Sequence, residues 1–267
     1  MPTTDPLSPA PRRLSDGSAG DADYARIGPG YAAIRQPDPR IEAAVWRALG
    51  DARTVLNVGA GAGSYEPFDR DVTAVEPSAS MRAQRPAHRV DAINATSDSL
   101  PFPDDTFDAS MASVTVHQWP LRAQGLAEMR RVTRGPIVLL TFDPVPPQHW
   151  WQLDYIPELY QVEGARMPAI ETLVAELGGR AEVRTIPIPV DCIDGFGQAF
   201  FGRPERTLEP EVRRAMSAWS FVDDDAVARY ERDLADDLAS GVWDERWGHL
   251  RTLPEFDGGL RLVIGHP

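Results

Sequence analysis

The chain has 267 residues, of which 42% are hydrophobic and 25% charged, and its formal net charge is −13. This length suits one sizeable α/β domain with a small cap and does not require two domains. The negative charge disfavours adhesion to nucleic acid or to an anionic membrane, and no apolar run approaches the roughly 20 residues of a membrane span. We therefore expect a cytoplasmic protein that acts on a small molecule, with neither nucleic acid nor membrane as partner.

Residues 1–22 are rich in proline, serine, glycine and aspartate and contain few large apolar side chains. Such a segment cannot offset its own ordering entropy, so we predict a disordered N-terminal tail followed by a single domain over residues 23–267. The first clear helix is predicted to begin after Asp38, with Pro39 in its first turn, and to end at Gly50.

Strands and helices then alternate, which indicates a parallel sheet covered on both faces. The predicted strands are residues 54–58, 72–75, 90–93, 107–113, 136–142, 181–186 and 260–264. The predicted helices are residues 121–132 and 170–177, segments near 210–217 and 224–238, and a short helix that carries Met81. The segments 143–180 and 189–258 are predicted to form a cap or insertion.

A glycine-rich loop follows the first predicted strand, with Gly59, Gly61 and Gly63 at alternating positions. Because glycine has no Cβ, such a loop lets the backbone approach a ligand closely. The next strand ends at Glu76, and an acid in this place, roughly 20 residues on, binds ribose hydroxyls in α/β nucleotide sites. The dinucleotide fingerprint is G-x-G-x-x-G, whereas this chain has G-x-G-x-G, which argues against a nicotinamide cofactor.

A second motif covers residues 94–108 and reads Asn-Ala-Thr-Ser-Asp-Ser-Leu-Pro-Phe-Pro-Asp-Asp-Thr-Phe-Asp. Together with the glycine loop and Glu76, it resembles the class I S-adenosylmethionine (SAM) dependent methyltransferases over residues 24–142. The resemblance is to the subgroup of ubiquinone and menaquinone biosynthesis C-methyltransferases and many small-molecule O- and N-methyltransferases. It implies a Rossmann-like α/β fold with a seven-stranded, mostly parallel sheet, an antiparallel last strand and a helical insertion before that strand.

The same resemblance implies S-adenosyl-L-methionine as cofactor and S-adenosyl-L-homocysteine as product. Glu76 would accept hydrogen bonds from both ribose hydroxyls, and the loop N–H groups would face the amino-acid part of SAM. Thr96 and Ser97 would lie beside the adenine ring, and Arg35 would pair with the SAM carboxylate. The cofactor-binding residues predicted in this way are Tyr31, Arg35, Asn57, Gly59, Ala60, Gly61, Glu76, Pro77, Met81, Thr96, Ser97, Ser113 and Val114.

His117 follows the fourth predicted strand, at the edge of the sheet where α/β proteins bind their ligands. The resemblance implies that it faces the reacting methyl group. Its ordinary pKa suits a base that takes a proton from a hydroxyl, an amine or an acidic carbon. The alternative is a histidine that only shapes the pocket or caps the next helix. No metal-ligand spacing is present in the sequence, so no metal is expected.

Aromatic side chains around the insertions offer an apolar lining for an acceptor pocket, although most of them are expected to pack the cap onto the sheet. They are Trp119, Trp150, Trp151, Tyr155, Phe196, Phe200 and Phe201. Phe102 and Phe107 are expected in the core, as is Cys192, the single cysteine.

We therefore predict a methyltransferase (EC 2.1.1.-) that methylates an O, N or C atom of a small biosynthetic metabolite. Two alternatives stay open. One is a non-catalytic SAM-binding or scaffold protein, favoured by Asn57 and Thr96, because relatives usually carry acids at both positions. The other is a nicotinamide-dependent oxidoreductase. The sequence identifies neither the acceptor nor the oligomeric state, so a homodimer also stays open.

Overall fold

The computed structural model describes residues 17, 30–147 and 150–267. Apart from Gly17, the predicted disordered tail lies outside the described residues. The strands are β1 (Thr54–Val58), β2 (Asp71–Val75), β3 (Ala92–Ile93), β4 (Ala109–Ser113), β5 (Ile137–Phe142), β6 (Arg180–Thr185), β7 (Ile188–Pro189), β8 (Glu255–Phe256) and β9 (Leu260–His266). The α-helices are α1 (Tyr31–Ile34), α2 (Pro39–Ala48), α3 (Ala79–Arg82), α4 (Arg122–Val132), α5 (Gln152–Tyr155), α6 (Pro157–Arg166), α7 (Ile170–Leu177), α8 (Pro210–Arg214), α9 (Asp224–Ser240) and α10 (Val242–Trp247).

Over the described residues, the main sheet has seven strands in the order β3-β2-β1-β4-β5-β9-β6. The strands from β3 to β5 pair in parallel, and β9 pairs antiparallel with both β5 and β6. The interior strand β5 is buried at every position, as expected for a sheet that is covered on both faces. This arrangement confirms the predicted seven-stranded fold with its antiparallel last strand.

Two apolar clusters cover the two faces of the sheet, and successive residues of β1 divide between them because side chains alternate along a strand. Val55 packs with α2 and with the aromatic residues of the segment between β5 and β9. Leu56 packs in the other cluster, together with residues of α4 and α7. Phe107 and Cys192 are buried, which confirms that they are core residues.

The helix α2 forms where its capping sequence predicts it. The Asp38 carboxylate accepts a hydrogen bond from the backbone N–H of Arg40 at 3.0 Å, and Pro39 occupies the first position. Ile41 and Val45 are buried against the sheet. This helix therefore fixes the chain that leads into β1 and the glycine loop.

The long segment between β5 and β9 holds α5–α10 and the two-stranded sheet of β7 and β8. The sequence does not predict α5, α6, α10 or this small sheet, because the prolines and aromatics there carry no clear helical period. The edge of β4 also differs from prediction: Phe107 makes an isolated bridge with Thr133 and stands outside the strand. Within the described part of the chain, no helix combines the length and apolarity needed to cross a membrane.

Candidate active site

A cavity opens at the carboxyl ends of β1, β2 and β4, and we call it the first cavity. Every residue that the sequence predicts to contact a cofactor lines it. These residues are Tyr31, Arg35, Asn57, Gly59, Ala60, Gly61, Glu76, Pro77, Met81, Thr96, Ser97, Ser113 and Val114. The prediction did not include Ala62, Ser64, Tyr65, Thr115, Gln118 and Trp119 as cofactor-binding residues, and they line the cavity as well.

The glycine loop turns sharply between β1 and the first cavity. Gly59 has a φ of 67°, and a Cβ at this position would lie 2.4 Å from Oγ1 of Thr115. The backbone N–H groups of Gly59 and Ala60 both donate to the carbonyl oxygen of Val75, at 3.0 Å. The left-handed conformation and the contact with Thr115 both require glycine, so the loop passes close to the neighbouring strand end.

Glu76 closes one side of the first cavity and is 7% exposed. Its carboxylate accepts hydrogen bonds from the backbone N–H groups of Gly61 and Ser78, each at 2.8 Å. Burial raises the pKa of Glu76, although these two hydrogen bonds act in the opposite direction. An ionised carboxylate has about four acceptor positions, so each oxygen keeps capacity for a ligand hydroxyl.

Asn57 lines the first cavity, and its side chain is hydrogen-bonded to a buried ion pair. Its Nδ2 donates to Oε1 of Glu66 at 2.9 Å, and Glu66 forms a buried ion pair with Arg85 at 2.8 Å. Because an ionised carboxylate only accepts hydrogen bonds, the Asn57 amide group must face Glu66 with its nitrogen. Among the described residues, Asn57 Oδ1 has no hydrogen-bond partner. Position 57 thus carries an amide where an acid was expected, and an acid, Glu66, is hydrogen-bonded to that amide. The remaining acceptor, Asn57 Oδ1, suits a ligand that carries N–H donors.

The end of β4 contributes a second unsatisfied oxygen and a strained backbone. Ser113 Oγ lines the first cavity and is buried, without a hydrogen-bond partner among the described residues. Val114 has a φ of 50°, which is rare for a β-branched residue, and its N–H donates to the carbonyl of Leu140 at 2.7 Å. Such a conformation costs about 1–3 kcal/mol and is typical of functional sites.

Arg35 connects the first cavity with the insertion. Its Nε lies 2.6 Å from Oδ1 of Asp194, and the hydroxyl of Tyr65 donates to the other Asp194 oxygen, also at 2.6 Å. The Arg35 guanidinium lies 5.5 Å from the ring centre of Tyr31 and 5.9 Å from that of Phe196. The positive charge expected to face the cofactor is thus already paired with Asp194, a residue that the sequence prediction missed because it lies 159 positions away.

A second cavity shares Tyr31, Arg35 and Val114 with the first. Its other lining residues are His117, Phe142, Glu163, Arg166, Met167, Phe196, Gly197, Gln198, Ala215, Met216, Ser217 and Ala218. His117 therefore lines the second cavity, on the short 3₁₀ turn Val116–Gln118 that follows β4. The sequence did not identify Glu163 or Arg166.

The aromatic group of the sequence divides in the structure much as expected. Trp119 lines the first cavity, and Phe196 lines the second. The remaining members are buried in the core that joins the insertion to the sheet: Trp150, Trp151, Tyr155, Phe200 and Phe201. This confirms that most of the aromatic residues pack the cap.

Comparison with known proteins agrees with this geometry. The family profile described as a methyltransferase domain matches residues 56–136. A ubiquinone/menaquinone biosynthesis C-methyltransferase of Paracoccus denitrificans is 27% identical over 197 residues, which cover 65% of this chain and 76% of that protein. A crystal structure from Anabaena variabilis ATCC 29413, assigned as a methyltransferase of an antibiotic biosynthesis pathway, is 31% identical with a TM-score of 0.82. That match covers 88% of this chain and 99% of the other.

A SAM-dependent methyltransferase of Thermotoga maritima shares the fold, with a TM-score of 0.52 at 13% identity, over 91% of this chain and 99% of that one. The sheet order, the strand-end cavity and the similarity to the Anabaena protein define the class of protein. The chain belongs to the class I SAM-dependent methyltransferases. Its cofactor is S-adenosyl-L-methionine.

Proposed function

We propose that this methyltransferase binds SAM in the first cavity and transfers its methyl group to an O, N or C atom of a small molecule in the second. The observation that carries this proposal is the lining shared by the two cavities, formed by Tyr31, Arg35 and Val114. Methyl transfer requires the donor carbon and the acceptor atom to be in line at near-contact distance. Two adjoining cavities with a shared wall would place the two molecules side by side.

The residues of the first cavity fit SAM. In this proposal, Glu76 binds the ribose hydroxyls with the acceptor capacity that its two backbone hydrogen bonds leave. Asn57 Oδ1, which has no hydrogen-bond partner among the described residues, accepts a hydrogen bond from the ammonium group. Thr96 and Ser97, both buried at the end of β3, lie beside the adenine.

SAM supplies an electrophilic methyl group and a thioether leaving group, so the protein's own contribution is binding, orientation and the exclusion of water. His117 lines the cavity assigned to the acceptor, which supports the prediction that it acts on the acceptor rather than on the cofactor. The biosynthetic roles of the Paracoccus and Anabaena relatives support a metabolite as the acceptor.

Isothermal titration calorimetry of the purified chain tests the cofactor assignment, with SAM, S-adenosylhomocysteine and NADH as ligands. We expect micromolar binding of both adenosyl ligands and none of NADH. Release of S-adenosylhomocysteine in the presence of candidate acceptors then tests transfer. Binding of NADH alone would contradict the proposal, and bound SAM without turnover over a broad acceptor panel would favour a scaffold.

A further inference from the structure

One carboxylate of the second cavity, that of Glu163, has no role in the methyl transfer proposed so far. Glu163 is the seventh residue of α6 and lines this cavity, partly buried. Among the described residues, no side chain or backbone N–H donates a hydrogen bond to its carboxylate, and its electrostatic partner is Arg166, one turn further along α6. By contrast, Glu158 on the same helix forms an ion pair with Arg229 at 2.7 Å. The acceptor positions of the Glu163 carboxylate are therefore available to a molecule in the second cavity.

The surroundings of Glu163 combine an apolar lining with positive charge. Phe142, Met167, Phe196 and Met216 provide apolar surface in the same cavity. The titratable and charged groups that line the same cavity as Glu163 are Arg166 on α6, Arg35 and Tyr31 near α1, and His117 after β4.

The two arginines have different neighbours. Arg35 is paired with Asp194, while Arg166 lies 3.3 Å from the hydroxyl of Ser217 and 4.7 Å from the ring centre of Phe221. Burial raises the pKa of Glu163 to about 7, with Arg166 opposing that shift. A carboxyl group with this pKa exchanges protons near neutral pH, which suits a general base.

We propose that Glu163 accepts the proton of the methyl acceptor, and that this acceptor carries an ionisable hydroxyl group on an apolar skeleton. The inference rests on the proposed function and specifies its acceptor. A neutral hydroxyl is a weak nucleophile until its proton leaves, so it needs a base, and Arg166 beside Glu163 stabilises the anion that results. The phenylalanine and methionine side chains match an apolar, and in particular an aromatic, skeleton.

The step balances without a further reactant. The Glu163 carboxylate takes the hydroxyl proton while the acceptor oxygen forms a bond to the methyl carbon of SAM. The carbon–sulfur bond breaks, and its electron pair stays on sulfur. The products are a methyl ether, S-adenosylhomocysteine and protonated Glu163, which returns its proton to solvent. His117 lines the same cavity and is then a positioning residue for the acceptor.

The test uses the full chain with saturating SAM and measures release of S-adenosylhomocysteine. The probes are naphthols, each beside the naphthylamine of the same skeleton, because neither group changes its charge near neutral pH. We expect transfer to the naphthols at a rate that rises with pH through about 7 as Glu163 ionises. The naphthylamines, which are nucleophilic without losing a proton, should react more slowly and without that rise. Because general bases contribute about 10²–10⁴-fold, Glu163→Gln should lower kcat at least hundredfold and abolish that rise.

Three controls separate this role from a structural one. Glu158→Gln, on the same helix but outside the cavity, should leave kcat and the pH profile unchanged. His117→Gln should lower kcat less than Glu163→Gln does and should retain the rise with pH. Calorimetry should give wild-type SAM affinity for Glu163→Gln, which shows that the variant is folded.

Preference for the amines, or a pH profile that Glu163→Gln leaves intact, would overturn the proposal. The absence of transfer to every hydroxyl probe would also count against it. In each of these cases, intact SAM binding leaves the proposed methyltransferase function standing, whereas loss of SAM binding by the wild-type chain would refute that function itself.

Discussion

Replacing Glu76 by glutamine removes one negative charge from the first cavity while the side chain keeps its size. In the structure, each carboxylate oxygen accepts one backbone N–H, from Gly61 or from Ser78, at 2.8 Å. A glutamine amide offers one oxygen and one NH₂ group. Its NH₂ group would therefore stand against one of the two backbone N–H donors and could accept no hydrogen bond from a ribose hydroxyl.

The expected weakening of SAM binding follows from this hydrogen-bond geometry. A hydrogen bond to a charged group is worth about 1.5–3 kcal/mol, and each 1.4 kcal/mol corresponds to about tenfold in affinity. Because the ribose would form one such hydrogen bond fewer, the Kd for SAM should rise on the order of tenfold to hundredfold. Stability should change less, because the variant also removes the cost of burying the charge that raises the pKa of Glu76.

Calorimetry with SAM and with S-adenosylhomocysteine measures the effect, and thermal unfolding verifies the fold. Glu245→Gln is the matched control, since Glu245 is exposed on α10 and does not line the first cavity. A folded Glu76→Gln variant that binds SAM with wild-type affinity would refute the assignment of Glu76 to the ribose.

Three further outcomes follow from the geometry. Gly59→Ala should destabilise the protein by about 1–3 kcal/mol in a urea titration and weaken SAM binding, because its Cβ would clash with Thr115 at a positive φ. Asn57→Asp places a second carboxylate against Glu66, and the repulsion raises the pKa of the carboxyl group introduced at position 57. Stability to urea should therefore be lower at about pH 8 than at about pH 5, and adding Glu66→Gln should reduce this difference. For Glu163, the folded pKa of about 7 exceeds its ordinary value of 4.5, so wild-type stability should fall as pH rises through this interval, and Glu163→Gln should lack that component.

The sequence predicts the sheet and the first cavity because their determinants are local. A β-branched run and a G-x-G-x-G loop specify β1 and the turn at Gly59, and the strand that ends at Glu76 lies beside them in the parallel order. The carboxyl ends of such strands must meet at one edge, so residues from separate motifs converge there. The prediction of cofactor contacts at these residues still awaits a binding measurement.

The second cavity could not be derived in the same way, because its residues come from distant segments that only the packing of the insertion brings together. Glu163 lies on α6, a helix without a strong apolar period, and Met216 lies in a loop region between α8 and α9. Likewise, nothing in the sequence distinguishes Glu66 from other acidic residues, and only the structure shows that it accepts a hydrogen bond from Asn57. The sequence carries no spacing that links such residues.

The pairing of Arg35 with Asp194 has a consequence for how this protein can change over evolutionary time. The first cavity is built mainly from the sheet and its loops, while the second is lined largely by α6 and the loops near residues 197 and 215–218. Substitutions in those outer segments can alter acceptor choice while the nucleotide-binding part stays as it is. Asp194 is an exception, because it forms an ion pair with Arg35, which lines both cavities. A lineage that acquires a new acceptor should therefore vary freely around position 194 but retain an acid at it.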